Sequence, residues 1–450
     1  MKEVQKNNRP LLHVTGEKGW INDPNGLVVF NDEYHVFFQY YPHDTKWGPM
    51  HWGHVKSKDL QNWEYLPTAL YPDEQEMCFS GSAIVWQDKL WVLYTGHREN
   101  QGGDTAMQQQ CLASSTDGVH FEKHGVVIGE DLLPKEYLIK DFRDPKLFRH
   151  GDWFYCIVAA RHVSGRGRIV LFKSKDLFNW EFVNDVFGED GQGTMTECPD
   201  YNSALKMIMH SQQFAPQCGI EHCNVHSTYY CFGEFDDKGV FSSQGEQTIV
   251  DYGFDFYAPQ TFEKEPILIA WLNMWDRANP SEEYGFAGQL TVARRLSRVD
   301  GRLYQTPVFE GKQVAEKCNF THLNDTFTVG KITLDLQGLN ALSIKCRKKG
   351  DDYASFDLQD GQWVFNRSKC GKQIAVSETD ADSVNGIRRM PAIGGKDTHV
   401  EIVSDLYSLE IFVDGMAMSS LVYPDRDADG LEIVVDAESS IYKKFEIERQ

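Results

Sequence analysis

Apolar residues gather in short runs along the first three hundred positions, at 34–40, 90–95, 153–160, 205–210 and 267–272, with turn-forming residues such as Asn31-Asp32 and Gly151-Asp152 between them. Their length and β-branched or aromatic content predict strands, and no long segment keeps the 3.6-residue period of an amphipathic helix. The runs start at intervals of roughly 52 to 63 residues, which is the spacing of a repeated supersecondary unit.

A polar motif keeps the same step. Ser57-Lys-Asp-Leu-Gln-Asn-Trp63 returns as Ser174-Lys-Asp-Leu-Phe-Asn-Trp180, with a looser copy, Ser115-Thr-Asp-Gly-Val-His-Phe121, between them. Further steps of about 58 or 59 residues reach Phe235-Asp-Asp-Lys-Gly-Val-Phe241 and Val299-Asp-Gly-Arg-Leu303. Five registers of short antiparallel strands predict an all-β chain that opens with a five-bladed β-propeller over 1–307. An unrelated all-β array with chance recurrence of the turns is the alternative, and two series in one period count against it.

After Pro307 the repeat stops, and alternating runs at 327–336, 353–358, 399–403 and 409–413 predict a β-sandwich over 323–450. Residues 308–322 are expected as the crossover. No Pro/Gly/Ser linker separates the halves, so they are expected to pack together.

Composition narrows the partners. Across 450 residues, 66 Asp plus Glu against 45 Lys plus Arg give a net charge of −21, which disfavours nucleic acid or an anionic membrane as partner while leaving room for a local cationic pocket. No window approaches 18 apolar residues, and residues 1–10 lack the apolar core of a signal peptide, so a cytoplasmic protein with ten reduced cysteines is expected. Cys218, His222, Cys223, His226 and Cys231 match no zinc-site spacing and read as polar residues of a hairpin, and His51 and His54 read as structural. The residues call for no metal and no cofactor, and they leave the oligomeric state open.

Counting back eight to eleven residues from each run brings up Asp23, Ser80, Asp144, Glu197 and Tyr257, one per blade at a common level. Singly, an Asp-Pro such as Asp23-Pro24 or Asp144-Pro145 is a common turn. Converging on one axis, three carboxylates repel one another, and acid/base with nucleophilic chemistry is the use that explains them. Two carboxyl groups about 5 to 5.5 Å apart split a glycosidic bond with retention. Trp20, Trp47, Phe79, Trp271 and Trp275 supply apolar faces for a sugar ring, although at least two of them are expected as core.

The segments Trp20-Ile-Asn-Asp-Pro-Asn-Gly26, Gln39-Tyr40, Trp47-Gly-Pro-Met-His-Trp-Gly-His54, Phe79-Ser-Gly-Ser82, Arg143-Asp-Pro145, Glu197-Cys-Pro-Asp200 and Asp255-Phe-Tyr-Ala-Pro-Gln260 together resemble glycoside hydrolase family 32, the β-fructofuranosidases. Leu409-Glu-Ile-Phe-Val-Asp-Gly415 and Tyr423-Pro424 resemble the sandwich of that family more weakly. The resemblance implies a retaining β-fructosidase acting on sucrose, sucrose 6-phosphate or a short fructo-oligosaccharide. It implies Asp23 as nucleophile, Glu197 as general acid/base and Asp144 as transition-state stabiliser, with Asn22, Gln39, Ser80 and Arg143 lining the fructose pocket. Trp47, Phe79, Tyr257 and Trp275 complete the expected substrate-binding set.

Chemistry then sets electrostatic expectations: Asp23 ionised, Glu197 holding a proton at higher pH than Asp23, and Asp144 kept charged by Arg143. Cys198 is expected as a packing or hydrogen-bonding neighbour. Thr196 stands where the family usually has Trp, which predicts a missing aromatic wall beside the acid. Ala293 and Arg295 replace a usual Pro and Glu, raising the question whether Arg294 or Arg295 meets a phosphate. A propeller hydrolase of arabinan or xylan and a non-catalytic fructan-binding protein are the competing readings, and transfer to a second sugar competes with hydrolysis.

Overall fold

The computed structural model describes residues 8–74, 76–99, 106–187 and 193–447, so most of the amino-terminal stretch read for a signal peptide lies outside the described residues. Each of the five apolar runs forms the second strand of an antiparallel meander. The second blade shows the plan: Met77–Trp86, Lys89–Arg98, Met107–Ser115 and Glu122–Ile128 follow one another across the sheet. The first strands of the five sheets are Gly19–Phe30, Met77–Trp86, Tyr137–His150, Met195–Asn202 and Tyr257–Thr261. Each packs against the next, and the fifth packs against the first, which closes five blades into a ring around a central channel.

The recurring polar motif is the turn between third and fourth strands. Ser57 Oγ accepts from Leu60 N at 2.9 Å, and Asp59 Oδ1 accepts from Gln61 N at 2.9 Å and Asn62 N at 2.7 Å. Ser174 and Asp176 repeat these bonds to Leu177, Phe178 and Asn179. The geometry needs a left-handed residue after the Asp, taken by Leu60 at φ 64°, Leu177 at φ 66° and, without strain, Gly118 at φ 76°. Burial of the Leu60 and Leu177 side chains offsets that strain.

Two six-stranded sheets make the second domain, with strand pairs such as Gly330–Gln337 beside Thr398–Asp405 in one and Ala341–Lys349 beside Gly430–Asp436 in the other. Alternate residues Ile332, Leu334 and Leu336 meet Ile344, Phe356, Leu431 and Ile433 in the core between the sheets. The segment expected as a crossover is shorter than its expected 308–322: Lys312–Cys318 pairs with Ser439–Glu446 as an edge strand of the sandwich. Its alternation is faint because this edge is largely exposed, so the hydrophobic pattern could not announce it.

Buried ion pairs join the two domains. Arg294 of the propeller meets Asp251 at 2.9 Å and Glu410 of the sandwich at 2.7 Å, all fully buried. His13 lies between Asp405 and Glu410 at 2.8 and 2.9 Å. A second cluster links Arg277 and Asp255 to Glu378 and Arg367.

Candidate active site

Every inner strand bulges at one level. The pairing slips between Ile21 and Pro24, Phe79 and Gly81, Glu197 and Asp200, and Tyr257 and Gln260, and opposite Ile157–Ala159 it slips at Asp144-Pro145. Pro24, Pro145, Pro199 and Pro259 withhold an N–H from the ladder where the slip occurs. Asp144 at φ 66°, Cys198 at φ 45° and Ala258 at φ 49° adopt the left-handed region there. An extra residue per strand turns the side chain at each bulge toward the channel.

The result is a pocket of about 250 Å³ lined by Asn22, Asp23, Gln39, Trp47, Phe79, Ser80, Gln108, Arg143, Asp144, Glu197 and Trp275. Ser80 Oγ donates to Asp23 Oδ2 at 2.7 Å, and Asp23 Oδ1 meets no well-formed donor. Cys198 N donates to Asp144 Oδ2 at 3.0 Å, and its Sγ lies 3.5 Å from Asp23 Oδ2 and 3.6 Å from Asp144 Oδ2. Arg143 Nη2 and Nε donate to Glu197 Oε1 at 2.7 and 3.2 Å, and Tyr257 OH donates to Glu197 Oε2 at 2.5 Å.

The proton balance differs from the expectation in two respects. Burial raises Asp23, helped by the charge of Glu197 and opposed by Ser80. Burial also pushes Asp144 up to about 7, against Arg143. Glu197 is the one held down: burial would raise it, but the charge of Arg143 and the hydrogen bonds from Tyr257 and Arg143 together win. Arg143 pairs with Glu197 and stands 3.9 Å from Asp144, so the carboxylate it keeps charged is Glu197. Burial and the surrounding carboxylates push the Cys198 thiol well up, which keeps it a neutral donor.

Trp47, Phe79 and Trp275 form the rim, with Trp47 43% exposed. Trp20 and Trp271 are buried behind it, Trp20 stacking on Trp275 at 6.0 Å and donating to Asn22 Oδ1 at 2.9 Å. Tyr257 supports Glu197 from behind and is not part of the lining. Thr196 is buried and packs on Gly167, where a Cβ would come within 2.2 Å of Thr196 N, and it is not part of the pocket lining. Arg294 is committed to the domain junction and Arg295 is exposed on an outer strand, so neither lines the pocket.

His54 and His35 share a hydrogen bond at 2.9 Å, and His51 Nδ1 pairs with Pro49 O. Among the described residues no cluster of three or more His, Cys, Asp or Glu is disposed to hold a metal. Sequence reading missed Gln108 and Thr95, whose Oγ1 accepts from Asp144 N at 2.9 Å. The available signal was the run Gln108-Gln109-Gln110 opening a strand, of which Gln108 and Gln110 are buried.

Comparison with known proteins follows the same division of the chain. Residues 13–307 match the glycosyl hydrolases family 32 N-terminal domain, and 303–449 match the glycosyl hydrolases family 32 C-terminal domain. A sucrose-6-phosphate hydrolase of Escherichia coli is 35% identical over 94% of this chain and 91% of its own. One from Zymomonas mobilis is 34% identical over 93% of this chain and 88% of its own. The Bombyx mori GH32 beta-fructofuranosidase BmSUC1 superposes with a TM-score of 0.84 at 30% identity, covering 100% of this chain and 97% of its own, and a mutant of it has been solved in complex with sucrose.

Proposed function

The chain belongs to glycosyl hydrolase family 32, and we propose that it hydrolyses the fructosyl bond of a sucrose-type disaccharide by two displacements, with Asp23 as nucleophile and Glu197 as acid and base. The observation that carries this reading is the convergence of Asp23, Asp144 and Glu197 in one pocket fed by a single guanidinium, Arg143. Ser80 holds one oxygen of Asp23, which fixes the carboxylate at the pocket wall for attack on the anomeric carbon. Glu197 gives its proton to the departing oxygen, and in the second step takes one from water that attacks the fructosyl ester.

Burial favours the protonated forms of Asp23 and Asp144, whereas Arg143 and Tyr257 favour the ionised form of Glu197. Sugar hydroxyls donating to Asp144 favour its ionised form and draw Arg143 across the 3.9 Å that separate them. Glu197 then loses its cation, binds the proton released by its neighbours and becomes the acid. Substrate binding and acid formation are thereby one event.

Among the described residues the pocket walls offer one cation, Arg143, already paired with Glu197, which favours a neutral disaccharide. The relatives named as sucrose-6-phosphate hydrolases favour its phosphate ester. The deciding measurement is kcat/KM for sucrose and for sucrose 6-phosphate, with inulin and levan as controls and Asp23→Ala as blank. We expect free sucrose to be cleaved at least as well as the phosphate, and a strong preference for the phosphate would overturn that choice. Ten free cysteines suit a reducing compartment, and we place the enzyme in the cytoplasm. Family membership removes the arabinan or xylan reading and the non-catalytic one.

A further inference from the structure

Gln108 and His97 face each other across the third and second strands of the second blade. Gln108 is almost fully buried, and its Oε1 accepts from Phe142 N at 3.0 Å and from Arg143 Nη1 at 3.3 Å. Two obligate donors fix which end of the amide is oxygen. Its Nε2 has to donate, and it meets His97 Nδ1 at 3.2 Å. His97 therefore accepts at Nδ1 and carries its proton on Nε2, which faces Glu99 Oε1 at 3.7 Å. Burial holds His97 below the usual imidazole range, with Arg143 acting in the same sense and Glu99 opposing. The ring also lies flat on Phe79 of the pocket wall, with centroids 4.3 Å apart and planes 3° apart.

Gln110, two residues on, donates to Phe142 O at 2.9 Å and accepts from Thr95 Oγ1 at 2.9 Å. The Phe142 residue is gripped at N–H and C=O immediately before Arg143 and the left-handed Asp144. None of the motifs read from the sequence includes Gln108 or Gln110 of the strand Met107–Ser115.

We infer that His97 and Gln108 are a positioning pair: His97 fixes the Gln108 amide, and Gln108 holds Arg143 so that its guanidinium lies against Glu197. The inference rests on the role proposed above for Glu197. Among the described residues, the ionisable groups that face Glu197 are Arg143, Tyr257, His226, Asp23, Asp144 and Cys198. Arg143 is the permanent cation among them, so loosening it raises the proton affinity of Glu197 and delays loss of the acid as pH rises.

Two substitutions separate the functions of His97. His97→Phe keeps a ring on Phe79 and removes the acceptor, whereas His97→Asn places an amide oxygen near the position of Nδ1 and removes the ring. Steady-state kcat and KM for sucrose are measured across pH for wild type and both variants, alongside thermal unfolding. With His97→Phe, kcat is expected to fall about tenfold from the misplaced guanidinium, and the basic limb of kcat/KM to move up by about half a unit or more. His97→Asn is expected to restore the limb to its wild-type position. An unmoved limb and unchanged kcat in His97→Phe, or equal shifts in both variants, would overturn the pairing. Should His97→Phe fail to fold, Gln108→Met removes the amide at similar volume, and an unmoved limb there overturns it equally. A wild type inactive on every fructoside refutes the proposed function instead, whereas an active wild type with unmoved variants refutes only the positioning pair.

Discussion

At Asp23, Asp144 and Glu197 burial opposes ionisation; the charge of Glu197 adds to it at Asp23 and Asp144, and the Arg143 guanidinium works against it at Asp144 and Glu197. Removing the nucleophile by Asp23→Ala is expected to lower kcat on sucrose by more than about a thousandfold, and near-normal turnover would refute its role. Asp144 allows a prediction of stability with a definite sign. A carboxyl raised to about 7 in the fold binds its proton more tightly than in the unfolded chain, so it costs stability progressively as pH rises from about 4 through 7. Asp144→Asn is therefore expected to raise Tm by several degrees at pH 8 and to leave it unchanged near pH 4. The identity of these residues was readable from motifs, but their protonation order was not. Arg143 precedes Asp144 in the chain, yet its guanidinium reaches Glu197, fifty-four positions away.

At the level of strands and turns, the turn and the bulge do different work. The turn is built from local bonds, which is why Ser-x-Asp-Leu recurs visibly along the chain and marks the blade period. Asp176 accepts from Phe178 N, Asn179 N and the Asn179 amide, and none of these groups finds a replacement within the turn. Asp176→Ala is expected to cost about 1 kcal/mol in urea unfolding with kcat unchanged, since the turn joins outer strands. The bulges were legible only as prolines after Asp23, Asp144 and Cys198, because a slip in register is a relation between two strands. A wild-type unfolding midpoint for Asp176→Ala would show that the repeat marks the turn without stabilising it.

Across the molecule as a whole, the domain junction carries buried charge outside the pocket. Burial would lower His13, but hydrogen bonds and charges of Asp405 and Glu410 push it up to about 9. A histidine raised in the fold stabilises fully below its ordinary value of about 6.5, and that contribution is lost as pH rises through about 9. His13→Ala is expected to destabilise by about 2 to 4 kcal/mol at pH 6, because it leaves buried carboxylates short of a partner, and by much less near pH 10. Equal losses at both pH values in urea titrations would mean that packing, and not charge, holds this junction.

The strands, the five-fold period, the sandwich that follows and the set of carboxylates were all legible in the amino-acid sequence, since each depends on local pattern or on residue identity. Four features came from the folded chain alone: which carboxylate Arg143 serves, that Thr196 is not part of the pocket lining, that Arg294 locks two domains and that Gln108 joins the site. The physical reason is common to all four. Register slips and blade packing set where a side chain points, and electrostatic strength depends on distances between residues far apart in the chain.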